Sequence, residues 1–233
     1  MSQMIRIDLG GVNCYLVKCK DGFILFDTGG HLVMDKQFAN RCEQLRKELD
    51  AADCTENNLK LIVLTHGDND HARNASYVRE HYKTKIAMHA GDRELVEKPS
   101  LQEWMKSFNY RSFLYKLVFR FMHKTILKVT QKTLDDFTAF SPDILLEDGF
   151  SLSAYGLDAK IIHLPGHTKG SIAILTNTGD LIAGDIFANL KKPAPALNAD
   201  NFEQLSASIK KLKNLPIKMV YPGHGSPFHF EEI

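Results

Sequence analysis

Four residues within a six-residue stretch carry the strongest chemical signal in the sequence: His66, Asp68, Asp70 and His71, in the run Thr65-His66-Gly67-Asp68-Asn69-Asp70-His71. The run follows Leu59–Thr65 (LKLIVLT), an apolar stretch of buried-strand length. A strand end can aim alternate side chains at one point. Imidazole nitrogen and carboxylate oxygen together make a borderline-hard donor set for a divalent cation. Further donors close other strand-like runs: His167 in Pro165-Gly166-His167-Thr168, Asp185 in Gly184-Asp185, and His224 in Pro222-Gly223-His224-Gly225. Asp27-Thr28-Gly29 ends an early run in the same way. Four histidines and three carboxylates exceed what one tetrahedral ion takes. They suit two ions that share a bridging group, about 3.5–4 Å apart, holding a hydroxide between them and stabilising both the attacking and the leaving oxygen.

The elements that must position these residues can be placed from hydrophobic period and turn signals. Asn13–Cys19 (NCYLVKC) and Phe23–Phe26 (FILF) are strand-like and flank Asp21-Gly22, a hairpin signal. Residues 35–49 put Phe38, Cys42, Leu45 and Leu49 on one face at helical spacing. A helix is predicted over 72–81 and a strand over 85–89. After Pro142, strands are predicted at 151–154, 159–164, 171–176 and 180–185, then a helix over 202–212 and a last strand at 218–221. Two strand-rich halves interleaved with helices predict a layered α/β fold with the sheets inside, as one domain spanning 1–233.

These motifs, in this order, resemble the metallo-β-lactamase-fold superfamily. Its hallmarks are T-H-x-H-x-D-H, then P-G-H-T-x-G-S, then G-D, then a late G-H. They stand here as Thr65–His71, Pro165–Ser171, Gly184-Asp185 and Gly223-His224. Asp27-Thr28-Gly29, preceded by Asn13-Cys14-Tyr15-Leu16, fits as well. The resemblance runs from about residue 13 to 225, and only an insertion at about 92–140 lies outside it. It implies a four-layer αββα sandwich with a dinuclear site at one sheet edge. His66, Asp68 and His167 would bind the first metal, and Asp70, His71 and His224 the second. Asp185 would bridge them, and Asp70 would also act as the catalytic residue that orients the attacking water. The implied activity is a metal-dependent hydrolase. Its bridging hydroxide attacks an ester, thioester or lactone of a small, partly apolar substrate, with a phosphodiesterase as an alternative. Glyoxalase II and acyl-homoserine lactonases are similar at superfamily level only.

One position departs from the pattern: the family has His where this chain has Asp68. Two divalent ions bring +4, and three carboxylates with one hydroxide bring −4, so the core is about neutral instead of +1. A less positive core is a weaker Lewis acid and raises the pKa of bound water. The oxygen ligand also moves preference from zinc, the first expectation, toward manganese or iron. A carboxylate here is similar to the di-iron branch, the flavodiiron proteins, which gives a redox alternative of oxygen or nitric oxide reduction. Those proteins usually carry a flavodoxin domain, for which this sequence leaves no room after His224, and that favours the hydrolase.

Composition sets the remaining bounds. In 233 residues, 44% are hydrophobic and 24% charged, which excludes a disordered chain, a collagen-like chain and a small disulfide scaffold. No run approaches the ~18 apolar residues of a membrane span. MSQMIRIDLG lacks the pattern of a signal peptide. Cys14, Cys19, Cys42 and Cys54 form no C-x-x-C pair and read as buried small hydrophobes in a reducing compartment, so a cytoplasmic location is expected. Cys14 and Cys19, five apart on a strand, should face opposite sides. His89 and His163 read as structural, or as partners that orient a ligand imidazole, His31 and His229 as surface or loop residues, and Lys191 and Lys192 as solvated, with binding of a substrate carboxylate or phosphate as the other reading. The net charge of +1, from 29 basic and 28 acidic residues, argues against a polyanion binder. Residues 104–132, however, hold seven basic residues and no acidic one, so the segment is +7 and the rest −6. Lys116, Arg120, Lys124, Lys128 and Lys132 recur every fourth residue among aromatics. This amphipathic insertion is expected to be a lid, with aromatics for an apolar substrate part and lysines for an anionic one. A dimer element and a surface helix are the other readings. Nucleic acid is disfavoured by the opposing −6.

Overall fold

A two-residue turn at Lys20-Asp21 brings Cys19 opposite Gly22, and the fold grows from that hairpin. The computed structural model describes residues 3–32 and 38–233. In chain order the elements are β1 (Met4–Asp8), β2 (Asn13–Cys19), β3 (Gly22–Phe26), α1 (Cys42–Ala51), β4 (Leu59–Val63), α2 (Asn69–Ala72), α3 (Ala75–Tyr82) and β5 (Ile86–His89). Then come α4 (Arg93–Glu97), α5 (Leu101–Trp104), α6 (Phe113–Asp135) and β6 (Ile144–Leu146). The second half holds β7 (Ala159–His163), β8 (Ile172–Thr176), β9 (Asp180–Asn189), β10 (Pro193–Pro195), α7 (Phe202–Leu212), β11 (Met219–Gly225) and β12 (Phe228–His229). The first sheet runs β1-β2-β3-β4-β5-β6 and the second β12-β11-β9-β8-β7, with β10 on β9. The hairpin strands are antiparallel, whereas β3, β4, β5 and β6 pair in parallel.

Strand alternation produces the layers. In β3, Leu25 joins a core cluster with Leu45 and Leu49 of α1 and Val78 of α3, while Ile24 and Phe26 face a second cluster. That second cluster takes Ile161, Ile174 and Ile182 from the other sheet, so it fills the space between the sheets. The opposite faces of β8 and β9, through Ala173, Leu181 and Ala183, pack with Leu205 and Leu212 of α7. Three apolar clusters separating four layers make this an αββα sandwich. Cys14 and Cys19 fall in different clusters, on opposite faces of β2; all four cysteines are free. Among the described residues no helix is long and apolar enough to cross a membrane.

Several boundaries differ from the sequence reading, each through a tertiary contact. The helix predicted over 35–49 begins at Cys42; residues 35–37 lie outside the described residues. Phe38 (φ 48°) and Arg41 (φ 60°) take left-handed backbone, which an α-helix cannot contain. The helix predicted over 72–81 is α3, which starts three residues later at Ala75, because Ala72 closes α2 and the Asn74 amide between the two helices donates to the Thr28 and Asn40 carbonyls. The strand predicted at 151–154 is a single bridge, Ser151 to Lys160, followed by a 3₁₀ turn. Conversely, β9 runs past 185 to Asn189 and β11 past 221 to Gly225, carried on by register shifts around Pro222. Asp185 and His224 therefore stand inside strands rather than at their ends.

Candidate metal centre

All seven donors converge where the two sheets meet. The loop after β4 and the short α2 supply His66, Asp68, Asp70 and His71; the loop after β7 supplies His167; β9 and β11 supply Asp185 and His224. They form three groups whose donor atoms lie within 4.8 Å of one another: His66, Asp68 and His167; Asp70, His71 and His224; and His66, His71 and Asp185. Asp185 joins the sets. Its Oδ1 is 3.3 Å from His71 Nε2, and its Oδ2 is 3.2 Å from His224 Nε2 and 3.6 Å from His167 Nε2. Asp68 Oδ2 is 3.3 Å from His167 Nε2, and Asp70 Oδ2 is 3.3 Å from His224 Nε2.

The orientation of each ring is fixed from behind. His167 Nδ1 donates to the Asn198 carbonyl at 3.1 Å and His224 Nδ1 to the Gly11 carbonyl at 2.6 Å. His71 Nδ1 donates to Asp27 Oδ2 at 2.9 Å. The Thr65 hydroxyl donates to the same carboxylate at 2.8 Å, which leaves its lone pairs for His66 Nδ1, 3.0 Å away. A carbonyl or carboxylate cannot donate, so Nδ1 carries the proton in every ring and Nε2 points inward. Asp27 reaches this position from left-handed backbone (φ 58°) and also accepts the Thr65 N–H at 2.7 Å. Asn13 and Tyr15 hold the β11 side: Asn13 Nδ2 donates to the Pro222 and Gly225 carbonyls, and the Tyr15 hydroxyl to Pro222. Close packing also explains Gly223, where a Cβ would overlap the Asp185 carboxylate and press on the His71 ring at 2.7 Å.

Three of the inward nitrogens, on His66, His71 and His167, are buried and make no hydrogen bond, and neither does Asp185 Oδ1. Buried polar atoms are otherwise satisfied in folded proteins, so these four fit a cation. The electrostatics agree. Burial, assisted by His71, drives the His66 pKa down to about 4. Burial also opposes protonation of His167, but Asp68 and Asp185 overcome it and raise its pKa to about 9. His71 and His224 are held well above the usual imidazole range, against burial, by Asp185 and Asp70 and, for His71, by Asp27. Burial likewise opposes ionisation of Asp185, yet His224 and His71 hold it well below the carboxylate range. Without a cation the surrounding carboxylates favour protonated His71, His167 and His224, and divalent cations would displace those protons.

Asp92 is the residue that sequence reasoning missed. It follows β5 without any motif, is buried (1% exposed), and ties two donor loops together. Its Oδ2 accepts from Gly67 N–H at 2.9 Å and from the Thr168 hydroxyl at 2.6 Å, and its Oδ1 from Gly170 N–H at 2.6 Å. Burial raises its pKa in spite of these donors. His31, read as a surface or loop residue, does lie in a loop but is buried (4% exposed). Its Nε2 is 2.6 Å from Asp136, a carboxylate that Arg73 also engages. His89 and His163 stack on each other at 3.8 Å and hold turns, outside the three donor groups.

A cavity of about 450 Å³ opens onto Asp68, Asp70, Asp185 and His224. The insertion walls it with Trp104, Phe108, Tyr110, Thr130 and Thr133. The expectation that lysines of the insertion meet the substrate is not met: no Lys or Arg is among the described lining residues. Lys116, Arg120, Lys124 and Lys128 are exposed, and Lys132 lies 3.8 Å over the Phe38 ring.

Known proteins repeat this architecture. The hydroxyacylglutathione hydrolase GloC of Haemophilus influenzae is 28% identical over 221 residues, covering 92% of this chain and 85% of that protein. The crystal structure of the B3 metallo-beta-lactamase BLEG-1 superposes with a TM-score of 0.70 at 22% identity, covering 100% of this chain and 95% of that one. That of TTHA1623, in a di-iron-bound form, superposes with a TM-score of 0.61 at 21% identity, covering 99% and 96%. The sequence profile of the metallo-beta-lactamase superfamily matches residues 7–224, and the chain belongs to that superfamily.

Proposed function

We propose that this protein is a dinuclear-metal hydrolase that cleaves an ester, thioester or lactone of a small, partly apolar substrate. The observation that carries the reading is the pair of three-donor groups around Asp185 at the floor of an aromatic-walled cavity. His66, Asp68 and His167 would hold one ion, Asp70, His71 and His224 the other, with Asp185 between them. When bound, two such ions supply Lewis acidity and a nucleophilic water at neutral pH. The chain's own residues do the rest. Asp27, Asn198 and Gly11 hold His71, His167 and His224 by their outer N–H groups, so the inner nitrogens are the ones that would meet a metal. Asp70 lines the cavity, and His71 and His224 hold its carboxyl below the usual range against burial, so it stays an acceptor that orients the attacking water. Trp104, Phe108 and Tyr110 take the apolar arm of the substrate and exclude water from it. The likeness to GloC makes a thioester the first substrate to try.

The test is elemental analysis of protein purified without added metal or chelator, followed by an ester, thioester and lactone screen. About two ions per chain, with turnover that a chelator abolishes and metal restores, is the expected result. Loading the chelated protein at neutral pH should also release protons, which a pH-stat measures. Negligible metal that is not restored by added ions would end the hydrolase reading.

A second reading is favoured by Asp68 alone. An oxygen donor there suits iron, and a di-iron redox protein would consume oxygen or nitric oxide given an electron donor. Asp68→His separates the effects: metal preference should move toward zinc, read by competition between zinc and manganese. An unchanged preference would show that Asp68 does not tune the metal.

A further inference from the structure

Among the described residues, the outer face of the first half of α6 is left exposed. The described buried residues of this 23-residue helix are Ile126, Thr130 and Thr133, all in its second half. Toward the N-terminus, Phe113 is 81% exposed, Leu114 65% and Phe121 83%. Phe113, Leu117 and Phe121 recur at every fourth position and so form one row on the helix surface. Lys116, Arg120, Lys124 and Lys128 form the adjacent row, exposed and without a described ion pair. Leu114 and Val118 flank the apolar row on its other side. Phe119, on the inner face, packs on Phe108 and Tyr110, so the protruding turn is anchored to the cavity wall. Leu190 and Leu197 are further exposed apolar side chains, and both line the cavity.

We propose that this half of α6 docks the protein on an anionic lipid bilayer, with Phe113, Leu117 and Phe121 in the acyl boundary and the basic row against lipid phosphates. An apolar row beside a cationic row is the pattern of a helix that lies in the membrane interface. Long Lys and Arg stems reach back to the headgroups while the rings go deeper. Charge complementarity selects the occupant. No acidic residue lies between 104 and 132, so a second copy on this face would bring two unpaired basic rows together. A nucleic acid would satisfy the basic row and leave the two phenylalanines in water. A bilayer containing anionic lipid satisfies both rows at once. The protein is peripheral in this reading; α6 lies on the membrane.

Co-sedimentation of the metal-loaded 233-residue chain with vesicles tests this. Vesicles of equal parts phosphatidylglycerol and phosphatidylcholine should bind at least about tenfold more protein than phosphatidylcholine alone, and high salt should remove the difference. Phe113→Ser with Phe121→Ser should weaken binding at least about tenfold. Lys116→Glu with Arg120→Glu should do the same. All four side chains are exposed, so melting temperature and metal content should stay unchanged and show that the variants fold. Absence of binding to anionic vesicles overturns the proposal. So does undiminished binding by the Phe113/Phe121 variant. A dimeric chain that the same variant makes monomeric, with no vesicle binding, would assign the face to a second copy. Binding of a single-stranded oligonucleotide but not of vesicles would assign it to nucleic acid.

Discussion

Asp185→Asn should lower turnover by at least about a thousandfold and reduce bound metal below about two ions per chain. Asp185 touches three of the four inward imidazole nitrogens, at 3.2, 3.3 and 3.6 Å, and it belongs to both sides of the site. Asparagine keeps the shape but removes the charge and turns one oxygen into a donor that faces an imidazole edge. It also strips His71 and His224 of the anion that most strongly favours their protonation. Elemental analysis and turnover, measured on the same preparation, check the prediction. A variant with wild-type metal content and a rate within tenfold would overturn the proposed bridging role of Asp185.

Asp92→Ala should lower the melting temperature by about 6–12 °C. Each hydrogen bond to a buried anion is worth about 1.5–3 kcal/mol, the bonds are not additive, and about 3 kcal/mol is a fair sum for the set. A chain of this length loses about 2–4 °C per kcal/mol. Alanine takes the acceptor from Gly67 N–H and Gly170 N–H and leaves the Thr168 hydroxyl only Ser171. Turnover should fall too, because Gly67 stands between His66 and Asp68, and Thr168 follows His167. Asp92→Asn keeps an acceptor oxygen and should lose roughly half as much. Calorimetry on metal-free and metal-loaded protein separates the packing effect from the metal effect. A shift below about 2 °C in both states would mean that the two loops do not depend on this carboxylate.

The convergence of seven residues was legible because imidazoles and carboxylates stood at the ends of apolar runs, with glycines to turn the chain. A layered fold with the sheets inside was legible from helices interleaved with strands, and the four layers from the family resemblance; apolar residues on both faces of β3 and β4 are the packing that goes with it. What holds the rings was not legible. The Asn198 and Gly11 carbonyls are backbone groups, and no side-chain pattern announces them. Asp92 acts through two backbone N–H groups and a threonine, and a lone aspartate in sequence carries no such mark. His31 gained its partner from Asp136, more than a hundred residues away. The break between α2 and α3 follows from where the Asn74 amide reaches, which local periodicity cannot contain. The lysines of the insertion were counted correctly and aimed wrongly: a basic row says that a face exists, and only packing decides whether it looks inward or out.

His66, Asp68, Asp70 and His71 belong to the first sheet's half of the chain, and His167, Asp185 and His224 to the second. Ions held by both sets, as proposed, would be, mechanically, rivets through a seam. Across that seam the donor region is otherwise bridged by a few ties such as Asp92 to Gly170 and Asn13 to Gly225. A ligand that binds only the folded state adds about 2.7 kcal/mol at a hundredfold excess over its dissociation constant. The two halves would then hold together more firmly as metal supply rises and loosen as it falls. Hydrogen exchange at β9 and β11 would report that supply directly, and proteolytic lifetime would follow it, making the survival of the chain a readout of the same ions that its chemistry needs.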